Sequence, residues 1–247
     1  MAIAFDAVCP ATSSGAGVTS LTSGSWTVAA GSDRCLFGFM STGDSAAASH
    51  TGMKWRGSGG DALTQVGSTQ PIGSTHANVS AWRLIAPTAE SNTAYGNWGA
   101  SQGEACIAML SYTGVDQTTP AGTPVSATGG TSNPGGTATA TVDVTTEVGD
   151  TVIAVCMSHN QSISTNITLA AAGGATSRYE VDGAVMGGYA AMIVTELVAS
   201  GTTTTMSVDV ASAEPGHSVN WRIYAFVINA AEAADESILP QMMHHHG

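Results

Sequence analysis

An all-β fold, a two-sheet antiparallel β-sandwich of jelly-roll type, is what this sequence predicts, and three observations predict it. The first is a composition with Gly 30 and only 10% charged residues; small and β-branched residues favour strands and tight turns over the Glu/Lys/Leu-rich make-up of helical chains. The second is a long series of short apolar or alternating runs punctuated by Gly-Gly, Asn-Pro-Gly-Gly and Ser-Gly, whose glycines supply the positive φ that turns require. The third is an internal echo. Asp33-Arg34-Cys35-Leu36-Phe37-Gly38-Phe39-Met40 is answered by Asp150-Thr151-Val152-Ile153-Ala154-Val155-Cys156-Met157, and the closing runs Ala105 to Tyr112 and Arg222 to Asn229 are separated by the same 117 residues as Asp33 and Asp150. Echoed strands can alternate between two facing sheets and bury both apolar faces.

The strands follow in order. They are predicted at Ala2 to Val8, Gly17 to Leu21, Ser25 to Val28, Arg34 to Ser41, Thr51 to Arg56, Leu63 to Gly67, Asn78 to Ala86, Ala94 to Trp98 and Ala105 to Thr113. The second series is Thr137 to Val144, Thr151 to Ser158, Asn166 to Ala170, Arg178 to Val181, Gly188 to Val198, Thr202 to Val210 and Ser218 to Asn229. Thr137 to Val144 alternates, with Ala138, Ala140, Val142 and Val144 on one face and Thr137, Thr139, Thr141 and Asp143 on the other, the period of a strand with one dry face and one wet face. By contrast, Cys35 to Met40, Ile107 to Leu110, Val152 to Met157 and Ile223 to Ile228 are almost continuously apolar, as central strands covered on both sides are.

Pro120 to Gly136, with three prolines and five glycines, reads as a crossover loop within one sandwich, because each half alone is too small and too poor in aromatics to bury both faces of its own sheet. The expected organisation is a single domain over residues 1–229, with pseudo-repeat halves of about 25–119 and 137–229, and a C-terminal extension over 230–247. Ala230 to Glu236 is the one helical-looking stretch, rich in Ala and Glu.

Charge and cysteine usage exclude several classes. The net charge is −12 and the six basic residues, Arg34, Lys54, Arg56, Arg83, Arg178 and Arg222, form no cluster, so nucleic acid is not an expected partner. No apolar stretch approaches the roughly 18 residues that span a bilayer, and no basic region precedes an apolar run at the start. Neither a membrane protein nor a secretory precursor is expected. Cys9, Cys35, Cys106 and Cys156 show no metal-ligand spacing, and the expected state is four buried thiols. Cys35 and Cys156 occupy nearby positions in the echoed strands, which leaves a facing pair open.

Motifs with chemistry are few. Gly99-Ala100-Ser101-Gln102-Gly103 is a literal G-x-S-x-G, but a nucleophile elbow needs a strand-to-helix turn and this one lies between strands. Gly216-His217-Ser218 reads as a turn into the last strand. His50, His76, His159 and His217 are scattered singly, and Asp61, Asp116, Asp143, Asp182 and Asp209 form no calcium loop. Neither a catalytic residue, a cofactor nor a metal is expected. Trp55, Trp82, Tyr95, Trp98, Tyr179 and Tyr189 would make a sugar-stacking platform if exposed, although with 6% aromatics most are needed as large core fillers. Trp55, Tyr95 and Trp98 are the candidate contact residues among them. Ile238, Leu239, Met242 and Met243 in the extension are a second candidate set, apolar residues with no sandwich of their own to enter.

Gly24-Ser25-Trp26-Thr27-Val28 through Asp33-Arg34-Cys35-Leu36-Phe37, then Met53-Lys54-Trp55-Arg56-Gly57, Ala62-Leu63-Thr64-Gln65-Val66-Gly67, Ser80-Ala81-Trp82-Arg83-Leu84-Ile85-Ala86-Pro87 and Ser111-Tyr112-Thr113-Gly114-Val115-Asp116-Gln117 together resemble β-sandwich modules of tailed-bacteriophage virion proteins. The resemblance runs across most of Ala2 to Asn229 and consists of strand-and-turn patterns. It implies a non-enzymatic structural protein that decorates a capsid or forms a head fibre or tail appendage. No fibrous repeat or coiled stalk is present, so a compact decoration or capsid-surface protein is the version that fits. Implied partners are the major capsid protein or other virion proteins and further copies of the chain in a homo-oligomer such as a trimer, with the virion as location. A carbohydrate-binding module using exposed Trp and Tyr, and a serine hydrolase using Ser101, are the alternatives from other classes.

Overall fold

The computed structural model describes residues 2–15, 17–43, 50–72, 77–130, 137–160, 166–187, 189–212 and 219–232, and among them every regular element is a strand. The first half holds β1 (Ala4–Val8), β2 (Thr12–Ser14), β3 (Val18–Thr22), β4 (Trp26–Thr27), β5 (Cys35–Thr42), β6 (His50–Trp55), β7 (Asp61–Ala62), β8 (Thr64–Pro71), β9 (Asn78–Ile85), β10 (Ser91–Asn92), β11 (Ala94–Gln102) and β12 (Ala105–Thr113). The second holds β13 (Val125–Gly130), β14 (Thr137–Thr145), β15 (Thr151–His159), β16 (Ile167–Ala172), β17 (Thr176–Val181), β18 (Ala190–Val198), β19 (Thr203–Ser212) and β20 (Asn220–Ile228).

Each half builds the same pair of antiparallel sheets. The inner sheet of the first half runs β1-β12-β5-β9-β8, with β2 added on β12, and its outer sheet runs β3-β11-β6-β7. In the second half the inner sheet is β13-β20-β15-β18-β17 and the outer sheet β14-β19-β16. The short pair β4–β10 stands apart from these. Reading each half as eight principal strands, with β7 and β8 as one broken strand and β2, β4 and β10 as additions, pairing proceeds from outside inwards. The first strand pairs with the last, the second with the seventh and the third with the sixth.

The two inner sheets face one another, so four main sheets are stacked where the sequence reading expects two. The reason lies in the strands that are apolar on both faces. All eight residues of β5 and all nine of β15 are buried, and a strand can lose solvent on both faces only if another layer covers each side. In β15, Val152, Ala154 and Cys156 enter a core shared with the second outer sheet, whereas Ile153, Val155 and Met157 join the core shared with the first half. At the seam between the halves, the Phe226 ring lies 5.6 Å from Phe37 and 6.4 Å from Phe39, centroid to centroid. Tyr224 reaches across to donate to the carbonyl of Val66 at 2.8 Å, an approach made possible by Gly67, where a Cβ would collide with the Tyr224 hydroxyl.

The structural repeat differs from the sequence echo by one residue. Cys35 pairs with Tyr112 and Thr151 with Ile228, so equivalent ladder positions are 116 apart, whereas the textual echo is 117. Since side chains alternate faces, a one-residue slip would turn every side chain to the opposite layer. Only the even offset superposes Phe37 on Ile153, both of which face the seam. The expected facing of Cys35 and Cys156 fails for the same reason. They belong to different cores and both thiols are free.

Two further expectations change. The segment read as a crossover loop contains β13, whose residues Val125 to Gly130 pair with Ala225 to Asn220; the second half therefore opens at Val125, and the first half opens at β1 rather than near residue 25. Its Gly129-Gly130 end hides it from a propensity reading. In the stretch read as helical, Ala230 forms a bridge with Val115 and Ala231 N–H donates to Gly114 O; residues 233–236 lie outside the described residues.

Candidate functional site

The polar groups with the most developed surroundings lie at the seam. Tyr112 on β12 donates to Glu196 Oε2 on β18 at 2.7 Å, and Arg178 on β17 makes a two-point contact with the same carboxylate, Nη2 to Oε1 at 2.7 Å and Nε to Oε2 at 3.2 Å. The Arg178 guanidinium lies 4.2 Å from the centroid of the Phe5 ring. Burial, and then the charge of Glu196, hold the Tyr112 phenol well above its ordinary range, so it remains a donor. A second contact crosses the seam where Tyr179 donates to Ile107 O at 2.7 Å and accepts from Thr12 N–H at 2.8 Å. Both clusters tie one sandwich to the other.

Within the first sandwich, His50 Nδ1 and Ser80 Oγ are 2.6 Å apart, and Trp82 Nε1 donates to the same Oγ at 2.8 Å. This is the Ser–His proximity that motif searching does not find, because His50 and Ser80 come together only through the packing of β6 against β9. Ser80 is fully buried, so a substrate has no path to its hydroxyl. Burial lowers the His50 pKa to about 3. The imidazole thus stays neutral in the fold while an unfolded chain takes up the proton below about 6.5. A depressed folded value means that stability present above pH 6.5 is lost as pH falls towards 3, at about 1.4 kcal/mol per pH unit for one proton. We expect about 2 kcal/mol less unfolding free energy at pH 5 than at pH 7 from this group. Denaturant titrations of the chain and of His50→Gln measure it, and an equal pH dependence in both would disprove it.

The sequence-predicted contact residues divide differently from expectation. Trp55 and Trp98 are buried, which corrects their reading as an exposed platform: Trp55 packs edge-on against Trp26 at 5.0 Å and Trp98 against His50 at 6.4 Å. A half with so few large side chains uses them to fill its core. Trp82 and Tyr179 are buried as well, while Tyr95 and Tyr189 are half-buried. Ile238, Leu239, Met242 and Met243 lie outside the described residues, as do His76 and His217. Ser101 sits within β11, which continues to Gln102, so the strand-to-helix elbow that would activate it is not formed. Burial pushes the thiols of Cys9, Cys35 and Cys106 up to about 12.

The acidic residues serve as local acceptors. Asp116 caps a turn through Thr118 and Thr119 N–H at 2.6 and 2.7 Å, Asp182 accepts from Val185 N–H, and Asp61 meets Arg56 at 3.4 Å. On the outer face of the second sandwich, Thr205 donates to Asp143 at 2.6 Å and Thr139 to Asp209 at 2.8 Å. This face presents a regular threonine array, with Thr137, Thr139, Thr141 and Thr145 of β14 all exposed. Beside it, at one end of the sandwich, a cleft of ≈ 810 Å³ opens between the sheets, with Val125, Val144 and Val227 inside and Glu147, Asp150 and Asn229 among the groups around it. Val148, 76% exposed, lies in the turn beside this cleft, and Val198, 59% exposed, ends β18 opposite Thr151.

No protein-family model matches the chain, and no curated protein matches it. Among solved structures it is similar, at 9% sequence identity and a TM-score of 0.25, to the major capsid protein P2 from bacteriophage PM2, with 94% of this chain and 100% of that chain covered.

Proposed function

We propose that the chain is a non-enzymatic structural protein of a bacteriophage virion, a decoration or capsid-surface protein that binds the shell and further copies of itself. The observation that carries this reading is the pairing order repeated in both halves, first strand with last, second with seventh, third with sixth. That order supports reading each half as a jelly roll, an architecture that recurs in viral capsid and lectin domains. Two such units packed through their inner sheets leave strand edges and the outer sheets for lateral contact. The resemblance to virion modules and the −12 charge, which keeps a many-copy protein soluble before assembly, agree with it. The lectin reading loses its platform, since Trp55 and Trp98 are core residues.

On this reading the partners are the major capsid protein or another virion protein, and Ile238, Leu239, Met242 and Met243 provide an apolar anchor that docks on a neighbour, gaining about 25 cal/mol per Å² of apolar area covered. The test is cosedimentation of the tagged chain with purified particles, quantified by mass spectrometry. The chain is expected in the particle fraction at a fixed ratio to the shell protein, and deletion of Ser237 to Gly247 is expected to lower that ratio while the melting temperature stays unchanged. Absence from particles would overturn the reading, and undiminished occupancy after truncation would remove the anchor from it.

A further inference from the structure

Every sheet has two edge strands, and an exposed edge is a template for pairing unless something blunts it. Most of the edges here are blunted. β1 is bulged between Phe5 and Ala7, β8 between Val66 and Gln70 with Pro71 at its end, and β17 at Arg178. β3 has an irregular register with β11, β7 has two residues, β13 is short and ends in Gly129-Gly130, and the Ile167 carbonyl at the start of β16 is taken by Gly183 N–H at 2.7 Å. β14 differs. It has nine residues, its register with β19 is unbroken from Thr137 to Thr145, and it contains no Pro, Gly, Lys or Arg. Its one charge, Asp143, is on the solvent face.

The orientation of its free groups follows from one bond. Thr146 N–H donates to Thr202 O, which places the even residues of this strand towards β19. In an antiparallel ladder, residues alternate between the two sides, so the N–H and C=O groups of Thr139, Thr141, Asp143 and Thr145 point to the open edge. Among the described residues nothing pairs with them.

We propose that β14 pairs antiparallel with β14 of a second copy of this chain about a two-fold axis at Val142, continuing the outer sheet of the second sandwich from one subunit into the next. This rests on the reading of the chain as a protein that assembles with its own copies. The side chains suit this register. With Val142 opposite itself, Thr141 faces Asp143 of the second copy and Thr139 faces Thr145, each as a hydrogen-bonded pair. Thr141 then donates to Asp143, repeating across the axis the two contacts that already join the strands of this sheet, Thr205 to Asp143 and Thr139 to Asp209. Asp143 uses only Oδ1 for Thr205, leaving Oδ2 for the second threonine. Shifting the axis to Thr141 would set Thr139 against Asp143, but the Thr139 proton is already given to Asp209. An isologous contact of this kind satisfies both copies at once, and main-chain bonds supply the affinity.

The test uses the full chain. Sedimentation velocity is expected to show a concentration-dependent dimer. Thr141→Pro is expected to return it to monomer with an unchanged melting temperature, because proline is tolerated at an edge where its missing N–H faced solvent and the β19 ladder keeps its bonds. Should that variant fold poorly, Val142→Cys decides. At a non-hydrogen-bonded antiparallel pair the Cα atoms are about 4.5 Å apart, within disulfide reach, so mild oxidation is expected to give a covalent dimer, while Val144→Cys, which faces Ala140, gives none. A wild-type chain that stays monomeric, or a dimer that Thr141→Pro leaves intact and Val142→Cys fails to capture, overturns the pairing. Particle occupancy is a separate readout: a monomeric chain that still cosediments would end this inference and leave the virion role standing.

Discussion

Phe226→Ala is expected to lower the unfolding free energy by about 3–5 kcal/mol, the cost of deleting a fully enclosed aromatic side chain. Phe226 is 0% exposed and lies against Phe37 and Phe39 from the other half, so the void opens between two inner sheets that cannot close on it without separating elsewhere. For a chain of this size that corresponds to a fall of about 6–20 °C in melting temperature. Differential scanning calorimetry is the measurement. One transition is expected for both proteins, because seam residues such as Ile153, Tyr224 and Leu110 belong to one continuous core. Two separated transitions in the wild-type chain would show that the halves fold independently and that the seam does not couple them.

Glu196→Ala is expected to cost about 2–4 kcal/mol. Its carboxylate is the acceptor for the buried Tyr112 hydroxyl and the partner of Arg178, and removing it strands a donor in the seam. The full penalty of a broken buried ion pair is not reached, since the Arg178 side chain is 26% exposed and regains water. Glu196→Gln keeps an acceptor and is expected to cost less than the alanine variant. Tyr112→Phe, at about 1 kcal/mol on its own, is expected to cost nothing further once Glu196 is alanine. Chemical denaturation of the four proteins closes this cycle. An additive double variant would show that the Tyr112–Glu196 bond contributes no stability.

Strand identity was largely legible in the sequence, because alternation and turn chemistry are local. Ala105 to Thr113 is read and found with the same bounds, and Thr137 to Val144 is one residue short of β14. What escaped was whatever depends on a distant partner. β13 looks like linker because its small residues become a strand only against β20. Trp55 and Trp98 look like a contact surface because side-chain type does not reveal which face of a sheet is covered. His50 and Ser80, thirty residues apart in sequence, meet only when β6 is laid over β9.

The sequence by itself determined an all-β chain of two echoed halves, with apolar runs that must be covered on both sides and an acidic balance with only six basic residues. Those properties are written in composition and period, which need no tertiary partner to be read. Only the tertiary structure decided that the halves stack as four main sheets, since covering both faces of β5 and β15 is a condition that several arrangements satisfy until the long-range contacts of Phe37, Phe39 and Phe226 select one. It also fixed the even repeat offset, because only the ladder register says which residues of each strand face the seam. The open edge of β14 belongs to the same class: an edge is a property of what a strand lacks beside it, and the identical alternation would describe a strand in the middle of a sheet.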